Sequence, residues 1–214
     1  MLIAVNKPIG LTSFDVVRQI RKATGVRKVG HAGTLDPFAE GVLLIGIGRD
    51  STRRLGEFLK GDKEYLASVV LGIVTDTYDP TGKVVEKNQF KMPDKERICS
   101  VLDQFKGDIL QIPPLFSAIK VNGVRMYKIA RKGIEIERKP RKVTIKEIEL
   151  IHLTEDGFKM RVCCSHGTYI RSLAYDIGRV LGVGAHLGQL TRTRVGDYTL
   201  DQAVNLDKFI SDIV

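Results

Sequence analysis

The stretch richest in reactive side chains is Gly30-His31-Ala32-Gly33-Thr34-Leu35-Asp36-Pro37. It sets an imidazole five residues ahead of a carboxylate. Pro37 disfavours helical backbone at Asp36 and pushes it towards an extended conformation. Gly30 and Gly33 let the chain bend and approach a ligand closely. Such a loop can present a carboxylate to a bound molecule. Taken alone, Asp-Pro is more often a turn than a catalyst, and a loop histidine is more often solvated. The residues by themselves indicate a functional loop on a basic protein and select no single reaction.

Charge narrows the partner. The 214 residues carry 34 Lys plus Arg against 25 Asp plus Glu, a net charge of +9. Between Lys120 and Lys146 lie ten basic residues and two acidic ones, a segment charge of +8. The excess is therefore local, as expected of a phosphate-binding surface rather than a generally basic body. Tyr127 within it could add stacking. A smaller group, Arg18, Arg21, Lys22, Arg27 and Lys28, precedes His31.

Other classes fall away. No apolar run approaches the ~18 residues of a membrane-spanning helix, which argues against an integral membrane protein. The start, MLIAVNKPIG, lacks the basic flank of a secretory signal. Cys99 stands alone, Cys163 and Cys164 are adjacent, and the odd count suggests neither a disulfide framework nor a zinc site. A reduced, cytoplasmic protein is the expectation.

The elements that must hold the loop follow from periodicity and punctuation. Strands are expected at 2–6, 41–48, 64–73, 107–112, 117–121, 143–153, 158–164 and 189–195, with a further one after the turn-rich TDTYDPTGK. Helices are expected from Thr12 or Ser13 to Thr24 and over 51–60, from Asp94 through Phe105, and over 124–132, 168–181 and 206–213. Residues 25–40 read as loop. The inward phase shifts between Ile145 and Ile148, the mark of a bulge or bend. Strands and helices without a regular βαβ alternation predict an α+β fold with a mixed sheet.

Several motifs in order carry a family resemblance. GHAGTLDPFAEGVL resembles the active-site motif of TruB-type pseudouridine synthases, and Asn6-Lys7-Pro8-Ile9-Gly10-Leu11-Thr12-Ser13 is similar to their opening motif. Lys63-Glu64-Tyr65, Thr75-Asp76-Thr77, Pro113-Pro114 through Lys120 and Tyr127, Gly167-Thr168-Tyr169-Ile170-Arg171 and Leu190-Thr191-Arg192-Thr193 resemble further family segments. The resemblance implies a pseudouridine synthase fold, a mixed, largely antiparallel sheet flanked by helices. It implies one catalytic domain over 1–214 with a basic RNA-gripping insertion at about 117–142 and no C-terminal PUA-type domain.

It further implies a cofactor-free and metal-free isomerisation of uridine 55 in the T loop of tRNA, by a stand-alone monomer needing no protein partner. Asp36 takes the place of the essential carboxylate, attacking C1′ of ribose or C6 of uracil, or assisting elimination. Arg171 matches the arginine expected to keep it charged. Tyr65 matches the tyrosine that stacks on the flipped uracil and could remove the C5 proton. His31 would fill the place vacated by the extruded nucleotide. Leu190 would be pocket wall, Asp76 would contact the base and Tyr169 would brace the site. Lys120, Arg138, Lys139, Arg141 and Lys142 would grip RNA. Two other readings are a guide-RNA-dependent dyskerin-type enzyme and a non-catalytic tRNA-binding or folding protein.

Overall fold

A computed structural model describes residues 1–117, 119–121, 123–130 and 137–213. Its first elements are β1 (Leu2–Lys7), α1 (Ser13–Thr24), β2 (Val29–Ala32), β3 (Glu40–Ile47) and α2 (Arg49–Leu59). Then come β4 (Lys63–Leu71), β5 (Ile73–Thr75), β6 (Val84–Lys87), α3 (Lys95–Asp103) and β7 (Gly107–Gln111). The short β8 (Lys120–Val121), β9 (Val124–Arg125) and α4 (Met126–Ala130) precede β10 (Arg141–Leu153) and β11 (Gly157–Cys164). The chain closes with α5 (Ile170–Leu181), β12 (Ala185–Val195), β13 (Tyr198–Thr199), β14 (Val204–Asn205) and α6 (Leu206–Ser211). The fold is α+β, a large and mostly antiparallel sheet flanked by helices.

The contacts group into two units. One comprises Met1–Leu66, Val162–His166 and Gln189–Val214, the other Ala67–Arg161 and Gly167–Gly188. In the first, α1 starts where Thr12 and Asp15 form a reciprocal capping box and stops at Gly25, whose φ of 66° suits a left-handed C-cap. Its buried stripe, Val16, Val17 and Ile20, meets Val5, Val29, Leu43, Ile45 and Leu206. On the other face of the same strands Ala4, Ala32, Val42 and Leu44 pack on Leu55 of α2 and Val195. β3 is buried along both faces, so it reads as a continuous apolar run rather than an alternation. It pairs antiparallel with β1 and β2 and parallel with β12.

The loop expected over 25–40 holds a strand. Val29 to Ala32 pair with Ile47 to Leu44, with Val29 and Ala32 buried. Gly-rich composition hid it because the pairing edge of β3, not local propensity, makes this strand.

In the second unit β10 pairs antiparallel with β7, and α3 and α5 pack on each other. Along β10 the buried residues are Val143, Ile145 and Ile148, so the inward phase does change where the sequence suggested. The helix expected over 124–132 starts later, at Met126, after a two-stranded β8–β9 ribbon, and is described as far as Ala130. Arg131, Lys132 and the side chains of Lys120 and Tyr127 lie outside the described residues.

Candidate active site

The opening motif works as a clamp on the Asp36 loop. Ser13, at the start of α1, is 2% exposed and bonds Leu35 twice: its hydroxyl donates to the Leu35 carbonyl (3.1 Å) and accepts from the Leu35 N–H (2.9 Å). Gly10 N–H donates to the Pro37 carbonyl at 2.8 Å. The Asp36 carbonyl accepts from Ala39 N–H at 3.1 Å, closing a turn over the Asp-Pro step. Asp36 is thus held from both sides. His31 lies five residues earlier on β2, half-buried between strands and helices of the same unit.

Three buried cations stand in this unit. Lys7 is 0% exposed, Lys63 6% and Arg192 1%. Lys7 donates to the carbonyls of Pro8 (2.8 Å) and Leu11 (2.7 Å). Burial lowers its pKa from 10.5 to about 8, while the charge of Asp36 pulls the other way. Lys63 donates to carbonyls at the end of α2, including that of Leu59 at 2.7 Å, which makes it a helix cap. Two residues on, along the same face of β4, Tyr65 is buried. Burial raises the Tyr65 phenol above its ordinary 10; the neighbouring Arg192 lowers it, and the charge of Asp36 raises it. Asp36, Tyr65, Lys7 and Arg192 therefore share one electrostatic neighbourhood. Leu190, on β12, is 7% exposed.

The second unit holds the other expected residues. Arg171 is no surface arginine: it is 4% exposed, and Nη1 meets the Asp79 carboxylate at 3.1 Å and the Thr77 carbonyl at 3.1 Å. Nη2 donates to the Phe116 carbonyl at 3.0 Å. Asp79 was not singled out in the sequence, yet it is the buried carboxylate of its loop, accepting from the hydroxyls of Thr77 (2.8 Å) and Thr81 (2.5 Å). Its signal was there, a second Asp-Pro step flanked by threonines. Asp76 is exposed and accepts the Lys83 N–H at 2.8 Å, so it serves the turn. The Tyr169 backbone is gripped by Gln111, whose amide accepts its N–H (2.8 Å) and donates to its carbonyl (3.1 Å).

The basic segment divides. Lys139 and Arg141 are exposed. Lys142 is exposed too and pairs with Asp108 at 2.8 Å. Arg138 is half-buried, its guanidinium 3.5 Å from the Tyr78 hydroxyl and 3.4 Å from the Pro113 carbonyl, so part of its role is internal. Among the described residues no cluster of three or more His, Cys, Asp or Glu is placed to hold a metal ion. No helix among them is long and apolar enough to cross a membrane.

These positions match known proteins. The family model described as TruB family pseudouridylate synthase, N-terminal domain, matches residues 21–170. A second, the tRNA pseudouridylate synthase B C-terminal domain, matches 171–214. The chain is 48% identical to tRNA pseudouridine synthase B of Protochlamydia amoebophila over 204 residues, 95% of this chain and 77% of that protein. It is 44% identical to the protein of that name from Endomicrobium trichonymphae over 219 residues, covering 100% and 95%. Among solved structures it is similar to a chain of a Cbf5-Nop10-Gar1 complex, with 33% identity and a TM-score of 0.78. That match covers 98% of this chain and 53% of the other, so this chain spans about half its length. The chain belongs to the TruB family of pseudouridylate synthases.

Proposed function

We propose that this chain isomerises uridine 55 in the T loop of tRNA to pseudouridine, alone and without a cofactor. The observation that carries the proposal is the clamped Asp36 turn, set among Lys7, Tyr65 and Arg192 in a family of pseudouridylate synthases. The reaction breaks the bond between N1 of uracil and C1′ of ribose, turns the base, and joins C5 to C1′. A proton leaves C5 and one is gained at N1, so atoms balance with no redox partner.

Asp36 supplies the carboxylate. Asp36 is half-buried, and the bound base would complete the exclusion of bulk water from a labile glycosyl species. Tyr65, protonated at neutral pH because burial raises its phenol, stacks on the extruded uracil. As the phenolate, reached by loss of its own proton to solvent, it is the candidate acceptor of the C5 proton, and the Arg192 charge favours that form against the effect of burial. His31 fills the gap left in the RNA. In the second unit Arg171 pairs with the buried Asp79 at 3.1 Å, and Asp76 and Tyr169 keep the base-contacting and bracing roles. Lys139, Arg141 and Lys142, with Lys120 and Arg138, grip the T stem and loop by phosphate contacts, and recognition rests on folded RNA shape.

The proteins named tRNA pseudouridine synthase B are nearer in sequence than the Cbf5 chain, which favours the stand-alone reading over a guided one. The test incubates the purified chain with unmodified tRNA and maps pseudouridine by carbodiimide and primer extension. Product at position 55 with the protein alone is expected. Product only when a guide RNA is added, or binding with no product, overturns the proposal.

A further inference from the structure

Arg192 is the largest fully buried side chain described, and its charge near Tyr65 does not by itself account for an arginine in this core. An arginine is seldom placed in a core unless its planar fork is fully engaged. Here it is. Nε donates to the Val42 carbonyl at 2.7 Å, and Nη2 donates to the Gly33 carbonyl at 3.1 Å. The first acceptor lies on β3. The second lies at the bend from which Thr34-Leu35-Asp36 departs, and Gly33 takes that bend with φ of +79°. Its charge also acts on the neighbouring Tyr65 phenol, opposing the effect of burial there. One side chain thus ties the Asp36 loop to the central strand.

The backbone around Arg192 is built to hold it there. β12 runs parallel to β3, with Thr191 opposite Glu40 and Arg192 opposite Gly41. A Cβ on Gly41 would lie 2.3 Å from the Arg192 carbonyl oxygen, so only glycine permits this approach. On either side, Thr191 donates to Glu40 (3.0 Å) and Thr193 donates to Glu64 (2.8 Å), which fixes the strand against both neighbours. A methionine would fill the volume but leave the Gly33 and Val42 carbonyls without this donor. A lysine would keep the charge but could not fork to the two carbonyls.

We propose that Arg192 is the positioning residue of the site, tying the Gly33 bend that carries Asp36 to the central strand and setting its charge beside the Tyr65 phenol. This rests on the reading of Asp36 and Tyr65 given above. It separates Arg192 from Arg171: the first sets geometry within the Asp36 unit, and the second belongs to the Asp79 pair.

The test measures single-turnover pseudouridine formation and tRNA binding for the wild type, Arg192→Lys, Tyr65→Phe and the double variant. Thermal unfolding shows which are folded, and Arg192→Met is added as the stronger perturbation if it folds. Arg192→Lys is expected to bind tRNA within about threefold of wild type. Its rate should fall by about 10²-fold, the lower end of what one positioned acid–base group contributes. In the Tyr65→Phe background the same change should cost much less, because part of the Arg192 effect passes through the phenol. The limb on which the rate rises with pH through the Tyr65 titration should move to higher pH in Arg192→Lys and be absent in Tyr65→Phe.

A purely structural arginine would instead give losses that multiply independently in the double variant and a rate–pH profile that keeps its shape. Either result overturns the proposal, as does a rate within threefold of wild type. If Arg192→Met unfolds, the lysine cycle decides alone. If the wild type itself makes no pseudouridine in tRNA, the underlying reading of the site has failed, and this outcome is distinct from failure of the Arg192 proposal.

Discussion

Replacing Ser13 by alanine removes one oxygen and two hydrogen bonds from the Asp36 loop. Both partners belong to Leu35, which is 3% exposed, and Ser13 is 2% exposed, so water does not replace the lost oxygen freely. A buried backbone N–H or carbonyl left without its partner costs about 1–3 kcal/mol. Two such groups, partly relieved by local relaxation, set the expected loss at about 3 kcal/mol. For a chain of 214 residues that corresponds to a Tm lower by roughly 6–12 °C. Asp36 follows Leu35 directly, so the rate should fall as well, at a temperature where the variant is folded. The assays are thermal unfolding by circular dichroism and single-turnover pseudouridine formation below the transition. A Tm within 2 °C of wild type with an unchanged rate would refute the view that Ser13 clamps the loop.

Four further outcomes follow from the same geometry. Asp79→Ala removes one partner of a pair in which both side chains are 5% exposed, and should cost about 3–5 kcal/mol, read by urea unfolding; Asp79→Asn should cost less. Gly41→Ala forces a Cβ into the Arg192 backbone at a φ of +108° and should destabilise by several kcal/mol, on the order of the larger core effects, as a thermal scan would show. Lys7 gives a pH signature. The folded lysine releases its proton near pH 8 and the unfolded one near 10.5, so between these values the unfolded state binds more protons and stability rises with pH. Wild type should therefore gain on Lys7→Met by up to about 1.4 kcal/mol per pH unit in that window, as urea midpoints at pH 7.5, 8.5 and 9.5 would report. Neutralising the exposed Lys139 and Arg141 together should weaken tRNA binding and reduce the slope of log K against log salt by about 2, measured by filter binding.

The legible parts of the fold were those with a local cause. The capping pair Thr12 and Asp15 and the terminal Gly25 set α1, and the apolar run Val42 to Ile47 declared a strand buried on both faces. The phase slip after Ile145 also stood in the sequence and returns in the burial of β10. What stayed hidden depends on distant partners. β2 exists because β3 offers it an edge, and no pattern within Val29 to Ala32 announces that. Of the candidate residues, the motifs singled out Asp36, Tyr65 and Leu190, now in the first unit, and Arg171, now in the second. They did not show that Asp79 rather than Asp76 is the buried acid, since both sit in one turn-rich stretch and only tertiary packing separates them. Arg192 was visible only as part of a motif, because the burial that gives it meaning comes from strands far away in the chain. Arg138 read as one more surface charge, whereas its guanidinium contacts Tyr78 and Pro113, residues far away in the chain.

The central claim is that Asp36 supplies the carboxylate for forming pseudouridine in tRNA. Its most direct test is single-turnover conversion of uridine 55 by Asp36→Asn, run beside tRNA binding and thermal unfolding of the same preparation. Asparagine keeps the size of the side chain and the clamped backbone turn while removing the charge. The account predicts no detectable product, with tRNA affinity and Tm close to wild type. Product at a rate within tenfold of wild type would contradict it.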